Sequence, residues 1–305
     1  MPDCSTELAG LKFANPILTA SGTFGFGAEA SGFYDLNRLG GVILKGVTRE
    51  PRMGNPIPRV TDCPSGMLNA VGLENPGIDA VIDCELPPLA RIYKGAIVAN
   101  VCGFTIEEYT EVAARFDASP SVSLIEINIS CPNVAHGGMS FGIDAKSAAA
   151  VTRAVRRAVR KPIIMKLSPN VSDIVEIAKA CETEGADGLT LINTILGMRI
   201  DLRARRPILG NVYGGLSGPA IFPIALRMIH QVYKDVRIPI IGAGGVSSAR
   251  DAVEMMLAGA SAVQIGSAAL VDPSACVRII DEFPALLTEL GATSIRELIG
   301  TAHKI

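Results

Sequence analysis

A hexapeptide near the middle of the chain, Asn128-Ile129-Ser130-Cys131-Pro132-Asn133, carries the residue type best suited to acid–base or nucleophilic chemistry. A cysteine at the end of an apolar run can act as a base or nucleophile when its thiolate is stabilised. Pro132 restricts the backbone after it, while Asn128 and Asn133 supply amide donors and acceptors. No cationic residue adjoins Cys131, so a buried structural cysteine stays open as an alternative.

Two lysines, Lys45 and Lys166, stand near the ends of apolar runs. A buried ammonium group is unfavourable unless it is paired, so each lysine either reaches solvent along its flexible stem or meets an anion in a polar pocket. For a single lysine the two interpretations are equally supported, whereas two lysines at equivalent positions favour binding of an anion. Asparagines recur at similar positions and indicate a planar ligand with alternating N–H and C=O groups: Asn69, Asn100, Asn128, Asn133 and Asn193.

Two glycine-bearing segments close the pattern: Gly242-Ala243-Gly244-Gly245 and, further on, Gly266-Ser267. Glycine lets backbone N–H groups approach an anion closely, and α/β barrels often bind phosphate in the loops after strands seven and eight. The alternative is a pair of ordinary turns. The position of both segments favours an anion site, which belongs to either substrate or cofactor.

Eight short apolar runs and the helical patterns between them must position these residues. The predicted strands cover residues 17–20, 41–45, 96–100, 124–129, 163–167, 188–192, 239–243 and 262–265. The clearest predicted helices cover residues 106–116, 145–160, 172–184, 220–233 and 249–258, with Ser247 and Ser248 as candidate N-caps and Gly185 and Gly259 as stops. Nearly continuous apolar strands alternating with helices are typical of a buried parallel sheet.

The repeat of eight units predicts an α/β fold, a (β/α)8 TIM barrel forming a single domain over residues 1–305. Residues 5–16 are expected to form an N-terminal hairpin that closes the bottom of the barrel. Residues 46–75 and 193–217 exceed a normal connection and follow strand ends, so they are predicted to be functional loop insertions on the top face.

Composition excludes several classes of protein. Lys and Arg total 28 against 30 Asp and Glu, so no basic footprint for nucleic acid is present. The seven cysteines are scattered without a C-x-x-C pair, which argues against a disulfide framework or a metal site. The N-terminus carries Asp3 and Glu7 and lacks the apolar core of a signal peptide, and no run matches a membrane span. We therefore expect a cytoplasmic protein without membrane segments.

The combination of these motifs resembles the dihydroorotate dehydrogenase family, flavoproteins of de novo pyrimidine (UMP) biosynthesis. The resemblance runs over nearly the whole chain, from Asn15-Pro16-Ile17-Leu18 to the Gly266-Ser267 loop. Its motifs are Lys45-Gly46, Asn69-Ala70-Val71-Gly72-Leu73, the Cys131 hexapeptide, Lys166-Leu167-Ser168-Pro169, Ile192-Asn193-Thr194, Gly215-Leu216-Ser217-Gly218, Gly244-Gly245 and Gly266-Ser267.

The resemblance implies one FMN per chain and the oxidation of (S)-dihydroorotate to orotate. Cys131 would take the C5 proton while a hydride leaves C6 for flavin N5, and Lys166 would lie near flavin N1 and O2. The implied substrate-binding residues are Lys45, Asn69, Ala70, Val71, Gly72, Leu73, Asn128, Asn133, Asn193 and Thr194. The implied FMN-binding residues are Ser21, Lys45, Gly46, Asn100, Asn128, Lys166, Ile192, Gly218, Gly244, Gly245, Gly266 and Ser267.

Within the family, a cysteine base is typical of class 1, whereas the quinone-using class 2 carries serine at the position of Cys131. Residues 193–201 and 133–138 look more like the NAD-linked B subclass than the fumarate-using A subclass. That subclass pairs with a reductase subunit carrying FAD and a [2Fe–2S] cluster, as a heterotetramer of two catalytic and two reductase subunits. The scattered cysteines fit this, since the partner would have to supply the iron–sulfur centre.

Four alternatives stay open at this level. A fumarate-linked class 1 enzyme and a dihydropyrimidine dehydrogenase-type flavoenzyme share the barrel and the cysteine base. A non-redox barrel, an isomerase or aldolase with a phosphorylated substrate, would use the glycine loops without flavin. A non-catalytic binding scaffold is the last, and Cys131 with both lysines argues against it.

Overall fold

The computed structural model describes residues 2–130 and 141–304. The strands are β1 (Thr6–Leu8), β2 (Leu11–Phe13), β3 (Ile17–Thr19), β4 (Gly41–Val47), β5 (Val60–Cys63), β6 (Gly66–Asn69), β7 (Ala96–Val101), β8 (Leu124–Asn128), β9 (Ile163–Lys166), β10 (Gly188–Leu191), β11 (Ile195–Gly197), β12 (Ile200–Asp201), β13 (Arg206–Pro207), β14 (Gly214–Ser217), β15 (Ile240–Ala243) and β16 (Ala260–Ile265). The helices are α1 (Ile78–Ala80), α2 (Leu86–Ile92), α3 (Ile106–Ala118), α4 (Ala145–Ala158), α5 (Ile174–Thr183), α6 (Phe222–Tyr233), α7 (Ala249–Leu257), α8 (Ser267–Val271) and α9 (Ala275–Glu289).

Eight parallel strands close into a barrel in the order β3, β4, β7, β8, β9, β10, β15 and β16, with β16 pairing back onto β3. Each corresponds to one of the eight predicted apolar runs, so the TIM-barrel prediction is confirmed. The strands are buried on both faces, because one face fills the barrel and the other packs against the helices.

Alternation along each strand divides the barrel interior from the helix layer. In β4, Val42 and Leu44 pack outward into the main core, whereas Ile43 points inward. The inward residues near the strand starts form a lower layer, made of Leu18, Ile43, Val98, Leu124, Ile164, Ile241 and Ala262. Leu8 and Phe13 of the β1–β2 hairpin complete this cluster, so the hairpin plugs the bottom of the barrel as predicted.

The five predicted helices are present as α3 to α7, with ends that shift by a few residues. Ser248 caps α7 in a reciprocal capping box with Asp251, and Ser247 donates both its N–H and its hydroxyl to the same carboxylate. Gly185 and Gly259 follow α5 and α7 with positive φ, as helix stops require. Helix α9 lies outside the predicted set; it contains Pro284, a residue that sequence patterns associate with a helix break.

The two long top-face insertions meet in a four-stranded antiparallel sheet, ordered β11, β14, β6 and β5, which we call the roof sheet. Strands β5 and β6 belong to the first insertion and β11 and β14 to the second, and β14 pairs with β6 between them. The predicted insertions are thus confirmed, but nothing in either sequence segment predicts that they pair. Among the described residues, no helix combines the length and apolar character needed to cross a membrane.

Candidate active site

A cavity of about 390 Å³ lies between the carboxyl ends of the barrel strands and the roof sheet. Active sites of TIM barrels lie at this face, and the volume falls in the range of small-molecule sites. Most of the residues predicted from the sequence line it: Ser21, Lys45, Gly46, Asn69, Val71, Gly72, Leu73, Asn128, Lys166, Ile192, Asn193, Thr194, Gly244, Gly245, Gly266 and Ser267.

Three predicted residues lie beside the cavity rather than on its wall. Asn100 is fully buried beneath it, and its amide oxygen would lie 2.9 Å from a Cβ added to Gly46. Ala70 is buried behind the roof sheet, where its N–H donates to the carbonyl of Arg59. Gly218 follows the lining residue Ser217 with a φ of 102°. Cys131 and Asn133 lie outside the described residues.

The floor of the cavity carries a buried polar network centred on Glu126 of β8. Its Oε1 accepts from Asn100 Nδ2 at 2.6 Å, and its Oε2 accepts from Gln264 Nε2 and Thr190 Oγ1, each at 2.6 Å. Lys166 Nζ lies 3.7 Å from the carboxylate and donates to Gln264 Oε1 at 3.2 Å. All five side chains are buried, so each polar group requires these partners.

A second network joins the ends of β8 and β10. Asn193 Nδ2 donates to Ser130 Oγ at 2.6 Å, and Ser130 Oγ donates to Asn128 Oδ1 at 2.7 Å. Asn128 is further fixed from behind, because Tyr109 donates its hydroxyl to the Asn128 carbonyl at 2.8 Å. Two predicted asparagines therefore hold each other's amide orientation on the wall of the cavity, just before the segment that carries Cys131.

Lys45 enters the cavity from β4 and faces the roof sheet, where Asn69 ends β6. Burial lowers the pKa of the Lys45 ammonium from its usual range, because desolvation opposes the charged form; the charge of Glu74 partly offsets this. Asn69 Nδ2 makes a long contact, 3.4 Å, to the carbonyl of Gly215 in β14. An anionic ligand with amide edges would satisfy the ammonium and the polar groups together.

Glycines at the other end of the cavity leave backbone exposed where side chains would interfere. A Cβ on Gly245 would lie 2.8 Å from the Gly218 carbonyl, and one on Gly244 would lie 2.9 Å from Ala225; both residues have positive φ. Gly266 and Ser267 line the same end of the cavity. Close backbone of this kind suits a phosphate. Gly46 also brings backbone to the cavity wall, and a Cβ added there would lie 2.9 Å from Asn100 Oδ1 and from Cys102 Sγ. The residues present therefore fit FMN.

Sequence reasoning missed Glu126, Thr190, Gln264 and Ser130. A signal for Glu126 and Gln264 was available, because each stands two positions after an inward aliphatic residue near the start of its strand. In β8, Leu124 points into the lower layer and Glu126 follows it on the same face; in β16, Ala262 precedes Gln264. We call the inward set at this level the upper layer: Lys45, Asn100, Glu126, Lys166, Thr190 and Gln264.

Within the described ranges, 2–130 and 141–304, no cluster of His, Cys, Asp and Glu has the geometry of a metal site. The described cysteines form no disulfide with one another and are spread over the fold. Burial raises the pKa of Cys181 and Cys276 to about 12, which marks both as inert packing residues.

A profile of the dihydroorotate dehydrogenase family matches residues 4–287. The chain belongs to the dihydroorotate dehydrogenase family. Curated relatives agree over almost the whole length. A protein of Geobacter metallireducens named dihydroorotate dehydrogenase B (NAD(+)), catalytic subunit, is 55% identical over 299 residues, covering 98% of both chains. Proteins of the same name from a Geobacillus species and from Anoxybacillus flavithermus are 55% and 56% identical.

These two relatives cover 98% and 97% of this chain and 96% and 95% of their own lengths. The family resemblance drawn from the motifs is thus confirmed. The family membership also fits the cavity, because the dihydroorotate dehydrogenase motifs converge on it from six barrel strands and both insertions.

Proposed function

We propose that this chain is the FMN-dependent catalytic subunit of an NAD-linked dihydroorotate dehydrogenase, which oxidises (S)-dihydroorotate to orotate. One observation carries the proposal. A glycine-walled end, a cationic floor at Lys166 and a wall of Lys45 and asparagines converge in one cavity under the roof sheet. The names of relatives at about 55% identity support the same activity and the NAD-linked subclass.

FMN would lie with its phosphate against Gly218, Gly244, Gly245, Gly266 and Ser267. Its ring would contact Ser21, Lys45, Gly46, Asn128 and Ile192, with Asn100 supporting Gly46 from beneath and Lys166 next to N1 and O2. When bound, FMN supplies a hydride acceptor that no amino-acid side chain provides. The fully buried floor excludes water from that end of the cavity and strengthens the field of the lysine there.

The substrate would lie over the ring, within reach of Lys45 and the roof sheet. Lys45 is suited to the carboxylate of dihydroorotate, while Asn69, Asn128, Asn133, Asn193 and Thr194 match its imide and amide edges. The Asn128–Ser130–Asn193 network already fixes two of these amides, so less conformational freedom is lost on binding. The segment of Ala70, Val71, Gly72 and Leu73 would cover the substrate from the first insertion.

The reaction needs a proton and a hydride to leave adjacent carbons. Cys131 follows β8 and the Asn128 network, so it is the proposed base for the C5 proton, and the substrate held on the ring would present C6 for hydride loss. The cation of Lys45 near the carboxylate stabilises the negative charge that develops on proton removal.

The electrons would leave through a reductase subunit carrying FAD and a [2Fe–2S] cluster, in a cytoplasmic heterotetramer of two catalytic and two reductase subunits. The described cysteines are too dispersed to hold such a cluster, and "catalytic subunit" in the names of the relatives supports a partner. We further propose that residues 1–305 form one FMN-binding barrel domain.

An anaerobic titration of the purified protein tests the proposal. We expect a bound flavin spectrum that bleaches with dihydroorotate and not with dihydrouracil. Reoxidation by NAD is expected only when the co-purified partner subunit is present. Reoxidation by fumarate would instead indicate a fumarate-linked enzyme, and bleaching by dihydrouracil a dihydropyrimidine dehydrogenase-type activity. A protein that stays colourless after FMN is added would contradict the proposal and favour a non-redox barrel.

A further inference from the structure

Glu126 is a fully buried carboxylate in the middle of a parallel barrel, at 0% exposure. Ionised carboxylates are rarely placed in such surroundings, because removing one from water costs several kcal/mol unless partners restore the lost interactions. The residue lies beneath the cavity wall and does not line it. Its contribution to the site must therefore pass through the groups that it contacts.

Those contacts occupy both carboxylate oxygens. Neutral donors from three strands, Asn100, Thr190 and Gln264, each reach an oxygen at 2.6 Å. Both oxygens therefore accept hydrogen bonds from neutral donors, as the two oxygens of a carboxylate do. Replacement by an amide of the same shape would put a donor against another donor and remove the charge.

The same contacts determine the surroundings of Lys166. Gln264 gives its amide nitrogen to Glu126, so its Oε1 is left to accept from Lys166 Nζ at 3.2 Å. Glu126 itself lies 3.7 Å from that ammonium. Both Lys166 and Gln264 reach the cavity, whereas Glu126 stands behind them. The lysine is thus held between a buried negative charge and the ligand space.

We propose that Glu126 is a positioning residue that holds the Lys166 ammonium at the cavity floor and, as its counter-charge, lowers the reduction potential of the bound flavin. The inference rests on the proposed function, in which Lys166 adjoins flavin N1 and O2. An unopposed lysine would stabilise the negative charge of reduced flavin more strongly than an ion pair does, because opposite charges 3.7 Å apart largely cancel at a distance.

The test is the flavin midpoint potential of purified variants, measured by equilibration with a reference dye. Glu126→Gln is expected to raise the affinity for reduced FMN relative to oxidised FMN at least tenfold, about 30 mV for a two-electron couple. Lys166→Gln is expected to lower the midpoint potential. The potential of the variant that carries both substitutions should lie between those of the two single variants. Thr190→Val removes one neutral donor from the same carboxylate and is expected to change the ratio less than threefold.

If Glu126 has only a structural role, Glu126→Gln should lower the thermal stability, and the flavin midpoint potentials of the variants should not follow the order given above. An unchanged or lowered potential in FMN-loaded Glu126→Gln would overturn the inference. If the amide variant folds poorly, Glu126→Asp gives a second measurement, since it keeps the charge but withdraws it from Lys166. We expect a smaller rise of the flavin midpoint potential in this variant. No rise would also overturn the inference. Unmodified protein that binds no flavin would overturn the proposed function itself and this inference with it.

Discussion

The lower and upper layers of the barrel interior share five strands, on which they lie two residues apart, yet they differ in polarity and in hydrogen bonding. The lower layer is aliphatic, fully buried and plugged by the N-terminal hairpin. The upper layer carries two lysines, a carboxylate, two amides and a hydroxyl, and it opens to the cavity. The same barrel thus provides both a packed core and a reactive cavity floor, because side chains two positions apart on a strand point to the same face.

The comparison separates the residues that mainly stabilise the barrel from those that serve its chemistry. Aliphatic residues fill the lower layer without needing partners. In the upper layer, Glu126 and the four side chains around it depend on one another for hydrogen bonds. Substitutions in the lower layer should therefore change the free energy of unfolding and leave the redox chemistry alone. Substitutions at or above the upper layer should change the redox chemistry or the binding of its ligands.

The largest effect is expected for Cys131→Ala, three residues after β8 in the sequence. FMN should stay bound while flavin reduction by dihydroorotate slows by roughly 10²- to 10⁴-fold, the contribution usual for a general base. Anaerobic stopped-flow bleaching measures this rate. Cys181→Ala, in the packed face of α5, is the matched control and should bleach at the unmodified rate. Bleaching of Cys131→Ala at full rate would eliminate Cys131 as the base.

Leu124→Ala, two residues before Glu126, tests the lower layer. Truncating a buried leucine leaves a cavity, and we expect the free energy of unfolding to fall by about 2–5 kcal/mol. Urea unfolding measures the loss, and the flavin potential should not change. Leu202 is 88% exposed, so Leu202→Ala should change stability by less than about 0.5 kcal/mol. A shifted potential in Leu124→Ala would show that the two layers are coupled.

Lys166→Ala, in the upper layer, is expected to lower the flavin reduction potential. The expected change is a tenfold or greater loss of relative affinity for reduced FMN, about 30 mV, because the cation proposed to lie next to N1 and O2 is removed. Lys179→Ala on the outer surface of α5, which loses an exposed pair with Asp235, is the control and should leave the potential unchanged. An unchanged potential in Lys166→Ala would remove the lysine from its charge-stabilising role.

Gly245→Ala should weaken FMN binding several-fold. The alanine would adopt a φ of +82° and place its Cβ 2.8 Å from the Gly218 carbonyl, so the loop must shift. Fluorescence titration of the apoprotein with FMN measures the affinity. Gly291→Ala is the control, since it has a φ of +68° with no atom near its Cβ and lies far along the chain after α9. Equal FMN affinities in the two variants would exclude a tight glycine cradle.

The smallest effect concerns the pH dependence of substrate binding through Lys45. Because burial lowers the pKa of Lys45, its ammonium is charged at low pH and loses its proton, on raising the pH, earlier than an ordinary lysine. Affinity for dihydroorotate should therefore be complete below that pKa and fall a few-fold as pH rises through it. Lys45→Arg keeps its charge and should abolish this alkaline decline. A decline that persists in the arginine variant would exclude Lys45 as its source.

Much of this architecture was predictable from local patterns. The eight apolar runs identified every barrel strand, since strands buried on both faces must be apolar almost throughout. The motif residues Lys45, Asn128, Lys166 and Asn193 were found because a polar residue at the end of such a run is costly to bury unless it has a binding partner. Cys131 was selected by its position at the end of the fourth run, and its role stays a prediction.

Other features depended on contacts between distant segments. The roof sheet joins residues as far as 146 positions apart, such as Asn69 and Gly215, and its short strands lack a periodic signature. The partners of Glu126 come from four other strands, so no local pattern could identify them. Helix α9 contains a proline that local rules treat as a break, yet its apolar face packs into the main core.

The sequence by itself determined the barrel, the family and many of the residues that line the cavity, because periodicity and strand ends are properties of neighbouring residues. Only the tertiary structure decided which of those residues touch. Closure of the barrel brings Asn100, Lys166, Thr190 and Gln264 around one carboxylate, and pairing of the two insertions covers the cavity with a sheet. Hydrogen bonds across a barrel depend on strand register and shear, and both are relations between strands that no single segment of the sequence specifies.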